Sequence, residues 1–158
     1  MPYPLVFISY SWDSVEHRTW VREVLANGLR KRAVDAQIDH YNLRPGDLTD
    51  AFMEKVIPAA DHIVVVCTPT YYQRAAHDEG GVGYEKQLIK RYMAFHGGTR
   101  LVVPALRVGD AASAIPPFFG SRLWVDFRDD YYAELMLDEL AAALTDRPFH
   151  QAPPVQGP

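Results

Sequence analysis

The sequence predicts an α/β domain: a five-stranded parallel sheet with helices on both faces. Three observations carry this. Short apolar runs alternate with segments whose apolar residues recur at helical spacing. Such alternation requires crossover helices, hence parallel strands covered on both sides. The length, 158 residues, suits one domain with its own core. Right-handed crossovers narrow the arrangements, and the flavodoxin-like order 2-1-3-4-5 leads among them.

Each element has its own justification. Leu5-Val6-Phe7-Ile8 reads as a buried first strand running into the polar loop Ser9-Tyr10-Ser11-Trp12-Asp13. Trp20, Val21, Val24, Leu25 and Leu29 then recur at helical spacing. A weaker second strand spans Val34 to Asp39, and Leu43-Arg44-Pro45-Gly46-Asp47 is a turn. Thr49 is placed to cap a helix carrying Phe52, Met53, Val56 and Ile57, which Pro58 helps to end. Ile63 to Cys67 is the clearest buried strand and is expected to be the most buried. A loop from Tyr71 to Gly83, including His77-Asp78-Glu79-Gly80-Gly81, opens into a helix from about Tyr84 to Phe95 that Gly97-Gly98 stops. Leu101 to Leu106 is a fourth strand, whose Pro104 should sit near a strand end or irregularity. Leu123 to Phe127 is a short fifth strand. Tyr131 to Leu144 is a final helix with Leu137, Leu140, Ala141 and Leu144 on one face. Residues 147–158, rich in Pro, Gln and Gly, read as a linker or frayed tail, and a linker there points to a further, fused domain.

Composition excludes several classes. A formal net charge of -4 argues against a dedicated nucleic-acid binder. No apolar run approaches the length of a membrane span, and the first residues lack the pattern of a signal peptide. One cysteine, Cys67, forbids an internal disulfide, so the expected compartment is the cytoplasm. Cys67 is expected to pack in the core. The six histidines show no metal-ligand spacing, so no metal site is expected.

The strand order locates a ligand crevice beyond the carboxyl ends of strands 1 and 3. Ser9 to Asp13 and the segment from Pro69 to Glu85 meet there. Glu85 reads either as a first-turn acid favoured by the helix dipole or as a crevice carboxylate. Asp39 is a solvated strand-end acid or a ribose contact, and Arg44 an exposed loop residue or a phosphate partner. Gly80-Gly81-Val82-Gly83 has the wrong spacing for a dinucleotide fingerprint. It reads as a permissive turn that lets the backbone approach a ligand or partner.

Val6-Phe7-Ile8-Ser9-Tyr10-Ser11 resembles the first signature of TIR domains, and Leu43-Arg44-Pro45-Gly46-Asp47 the second. Leu123-Trp124-Val125-Asp126-Phe127 is similar to the third. Ala51-Phe52-Met53-Glu54, Val65-Val66-Cys67-Thr68-Pro69 and Gly80-Gly81-Val82-Gly83-Tyr84-Glu85 look more like the related bacterial SEFIR branch. The resemblance covers residues 5 to 145 and implies a TIR/SEFIR-like domain over residues 1–146. Some TIR domains cleave NAD between ribose and nicotinamide, using a glutamate at the start of the third helix, often in a Trp-x-x-x-Glu pattern. Glu85 matches the glutamate, and Gly81 stands where that pattern has tryptophan. The resemblance thus implies NAD as a substrate rather than a cofactor, with Glu85 catalytic. Ser9, Tyr10, Ser11, Trp12, Asp39, Arg44 and Tyr84 are then candidate NAD contacts, and Tyr10, Trp12 or Tyr84 supplies the aromatic surface. It implies a toxic effector of bacterial defence or signalling, activated by self-assembly through an exposed, mobile loop from Asp39 to Asp47. Other family members are non-enzymatic adaptors that recruit partners through homotypic contacts, and that alternative stays open.

Overall fold

The structure, a computed structural model, describes residues 2–78 and 80–158, with the backbone alone for 80–82. Five parallel strands form one sheet in the order β2-β1-β3-β4-β5, as the alternation predicts. They are β1 (Leu5–Ser9), β2 (Asp35–Gln37), β3 (His62–Cys67), β4 (Val102–Leu106) and β5 (Val125–Asp126). Ile63 to Cys67 are wholly buried, so β3 is the spine of the sheet. Its neighbours on either side are in register, Phe7 with Ile63 and Ser9 with Val65, then Val65 with Pro104.

Two cores separate on the two faces, because successive side chains of a strand point opposite ways. On one face Val6, Ile8, Val64 and Val66 pack against Trp20, Val21, Leu25 and Leu29 and against Leu137, Leu140 and Leu144. The first group rides on α1 (Val15–Trp20), a π-helical stretch (Val21–Ala26) and α2 (Asn27–Arg30). After α3 (Asp39–Asn42) the other face is covered by α4 (Thr49–Ala59), α5 (Pro69–Ala76), α6 (Gly80–His96) and the short α7 (Ala111–Ala114). There Phe7, Ile63, Val65 and Cys67 meet Met53, Ile57, Tyr71, Ile89 and Tyr92. The last helix, α8 (Ala133–Leu144), buries Leu137, Leu140, Ala141 and Leu144, the expected face, and begins after a 3-10 turn at Asp130–Tyr132. No helix or strand follows it among the described residues.

Several local expectations are corrected. The segment after β3 is helical, not a loop: Thr68 caps α5 by accepting the Tyr71 N–H at 3.1 Å, and Pro69 occupies the first helical position. The expected loop also included Glu79, which lies outside the described residues. Helix α6 starts at Gly80, four residues earlier than expected. Gly83 is therefore helical rather than a turn residue, and what approaches it is this chain's own backbone. A Cβ there would lie 2.4 Å from the carbonyl carbon of Asp78. Strand β2 ends at Gln37, so Asp39 starts α3 instead of ending a strand. Leu48, not Thr49, occupies the cap position of α4. Strand β5 keeps two of the five expected residues.

Pro104 lies in the middle of β4, not near its end. Arg107 N–H and Leu101 C=O bond to β3, whereas Leu106 C=O accepts from Phe127 on the β5 side. Alternation along the strand therefore turns the missing Pro104 N–H toward β5. Pairing with β5 begins only at Ala105, so no ladder bond is lost.

Candidate functional site

Ser9 is the last residue of β1, and its side chain turns toward the face covered by α5 and α6. There its hydroxyl donates a short hydrogen bond to Oε2 of Glu85 and lies 3.0 Å from the hydroxyl of Tyr71. Glu85 occupies the second turn of α6 and is only 5% exposed. With α6 starting at Gly80, Glu85 is not the first-turn acid that the helix dipole would favour. Burial pushes its carboxyl up to about 8, partly offset by the Ser9 hydrogen bond, with the charge of Asp39 adding to the rise.

Nearer the solvent, a second cluster is assembled around Asp39, whose charge reaches Glu85. The Tyr10 hydroxyl donates to its Oδ1 at 2.6 Å, and the Trp12 indole N–H donates to Oδ2 at 3.1 Å. Burial, then the hydrogen bond to Asp39, keep the Tyr10 phenol firmly protonated. Trp12 remains 54% exposed, with the Arg18 guanidinium 5.0 Å from its ring centroid. Trp12, Asp39, His40, Arg44 and Thr49 line a cavity of about 360 Å³. Arg44 itself points outward, its side chain 84% exposed and paired with Asp47 at 3.2 Å. The segment from Asp39 to Asp47 is otherwise exposed or half-buried, as expected, with Gly46 in the left-handed region at φ 94°.

Of the remaining candidates, Ser11 is buried and bonds to the Asp13 carboxylate. Tyr84 leaves the crevice: its hydroxyl bonds to Glu54 of α4, on the outer groove between α4 and α6. The structure thus joins Ser9 with Glu85, and Tyr10 and Trp12 with Asp39, and separates Tyr84 and the Arg44 guanidinium from Glu85.

Two residues were missed by the sequence reading. Tyr71 is fully buried at the inner end. The signal that could have found it was Thr68-Pro69, a helix start that puts Tyr71 on a first turn beside the end of β3. His17 lies behind the crevice wall, its ring 6.4 Å from that of Tyr10, and its Nε2 has no partner among the described residues. Burial lowers its pKa, opposed by Asp13 and reinforced by Arg107. Among the described residues no three His, Cys, Asp or Glu side chains are placed to hold a metal ion. No helix among them is long and apolar enough to cross a membrane.

Comparison with known proteins agrees with the fold. A prokaryotic SEFIR domain of known structure is 31% identical, with a TM-score of 0.70, covering 98% of this chain and 99% of that one. The TIR domain of the Toll-related receptor TRR-2 from Hydra magnipapillata is 16% identical, covering 88% and 96%, with a TM-score of 0.63. The TIR domains of the activated Roq1 resistosome, which directly recognises the pathogen effector XopQ, are 18% identical, covering 90% and 84%, with a TM-score of 0.50. The last two show the shared fold alone. Comparison with curated proteins gives no significant match. The family model for the TIR domain matches residues 6–141, and the chain belongs to the TIR domain family.

Proposed function

We propose that this TIR domain is an NAD-cleaving effector, releasing nicotinamide when copies of it assemble, and that Glu85 is its catalytic carboxylate. The observation that carries the reading is the carboxyl of Glu85, held inside the crevice at the carboxyl ends of β1 and β3 by the Ser9 hydroxyl. Breaking the ribosyl C1′–N bond leaves the electron pair on nicotinamide, a cationic leaving group that becomes neutral. No general acid is required. The developing ribosyl cation needs a negative charge in a dry site, as in glycoside hydrolysis. Glu85 supplies it once ionised, and the positive charge of bound NAD favours that ionisation. Water then adds to C1′ and loses a proton, giving ADP-ribose, or an adenine nitrogen adds instead and closes a cyclic product. Trp12 offers an aromatic surface and Asp39 a hydrogen-bonding group at the outer end, with Tyr10 and Ser11 buried behind them. Arg44 is available to a phosphate or to a neighbouring copy.

TIR domains generally self-associate, and the exposed Asp39 to Asp47 segment is the proposed contact, in the cytoplasm of a bacterial cell whose defence or signalling protein carries a fused sensor domain. The adaptor reading keeps one observation in its favour. Glu85 is enclosed, and near neutral pH the closed crevice favours its protonated form. The test is nicotinamide release by assembled protein, wild type against Glu85→Gln. Assembled wild type that leaves NAD intact establishes the adaptor. Equal cleavage by both keeps the enzyme and removes Glu85 from the chemistry.

A further inference from the structure

Resting on the reading of Glu85 as the catalytic carboxylate, we propose that Tyr71 is its positioning residue. The buried Tyr71 phenol donates to Ser9 and so commits the single Ser9 proton to Glu85. A serine hydroxyl has one proton, and an ionised carboxylate only accepts. With Ser9 donating to Glu85, the 3.0 Å contact between Ser9 and Tyr71 is a hydrogen bond only if Tyr71 is the donor.

The reverse chain, a protonated Glu85 donating to Ser9 and Ser9 to Tyr71, leaves the Tyr71 proton without an acceptor. Among the described residues the Tyr71 hydroxyl has Ser9 as its sole partner, and a buried donor left unpaired is costly. The chain Tyr71 to Ser9 to Glu85 is therefore the satisfied one, and it is satisfied with Glu85 ionised. Burial and the neighbouring Glu85 charge hold the Tyr71 proton in place well beyond the ordinary tyrosine range. Tyr71 thus stays a donor at every working pH. Its ring is anchored independently, by the capped first turn of α5 and by the core around Ile63, Val65 and Ile89.

The inference is tested by following the Glu85 side-chain carboxyl in protein labelled with carbon-13 glutamate, its resonance assigned by loss in Glu85→Gln. Tyr71→Phe keeps the ring and removes the hydroxyl. Its Glu85 midpoint should rise by about one pH unit, the scale of one hydrogen bond. The alkaline rise of kcat/KM for nicotinamide release should move with it, leaving the rate at its high-pH plateau nearly unchanged. Ser9→Ala should raise the midpoint as well, and adding Tyr71→Phe to Ser9→Ala should raise it no further, because Tyr71 acts through Ser9. A midpoint equal to wild type in folded Tyr71→Phe overturns the proposal. So does a further shift of the double variant beyond Ser9→Ala, which also decides the matter if Tyr71→Phe alone folds poorly. Protein that cleaves no NAD defeats the enzymatic reading, while the carboxyl titration still answers for Tyr71.

Discussion

The inner and outer ends of the crevice use the same chemistry, a carboxylate held by hydroxyl or N–H donors, in opposite surroundings. At the inner end Glu85 is held by Ser9, with Tyr71 behind it, all buried. At the outer end Asp39 is held by Tyr10 and Trp12 within reach of solvent. Burial, with the Asp39 charge adding to it, lifts the Glu85 carboxyl far above its usual range, because desolvation outweighs one hydrogen bond. The inner carboxylate is therefore a group whose charge is costly, and the outer one an anchor for Tyr10 and Trp12.

The largest expected effect separates activity from stability at Glu85. Glu85→Gln should lower nicotinamide release by roughly 10²–10³-fold, the loss typical of one electrostatic group in a dry site. The same change should raise the melting temperature at alkaline pH. The folded carboxyl titrates at about 8 against an ordinary 4.5, so its contribution is fully present below 4.5 and is lost as pH rises through 8. Melting curves from pH 5 to 9 should therefore show the variant gaining on wild type as pH increases. Parallel curves would place the carboxyl in water.

Next comes the pH profile of the wild type. The kcat/KM for nicotinamide release should climb about tenfold per pH unit at first and level off near the Glu85 midpoint, because this ratio reports free-enzyme ionisations. A profile flat from pH 6 to 9 would mean that the crevice opens before NAD binds.

A smaller effect is expected at the outer end. Asp39→Asn removes the charge and leaves one acceptor oxygen where Tyr10 and Trp12 now use two, and should raise KM by roughly tenfold, the scale of one charge-assisted hydrogen bond. It should also lower the Glu85 midpoint, since the Asp39 charge raises it. An unchanged KM would detach the Trp12 wall from substrate binding.

The smallest effect on the isolated domain is expected from Arg44→Glu, because Arg44 meets little besides Asp47. Melting should stay close to wild type, while sedimentation of assembled protein should collapse with nicotinamide release. Normal assembly and activity would take the Asp39 to Asp47 segment out of the contact.

By itself the sequence determined the sheet, its order and the meeting of the β1 end with Glu85. Those features follow from local periodicity and chain order: apolar runs, helical spacing and right-handed crossovers are written within a few neighbouring residues. It did not determine which way adjacent side chains turn. Tyr84 and Glu85 are neighbours on one helix, about 100° apart around its axis, so one faces Glu54 in an outer groove and the other Ser9. Tyr71 looked like a loop residue because Thr68-Pro69 was not recognised as a helix start. Asp39 looked like a strand end, but β2 stops two residues before it and Asp39 opens α3. The contacts that make the site join Ser9 to residues 62 and 76 positions away. Only the assembled sheet, with α5 and α6 packed on one face, brings those groups within hydrogen-bonding distance and shuts water out around them, and that exclusion is the largest influence on the charge of Glu85.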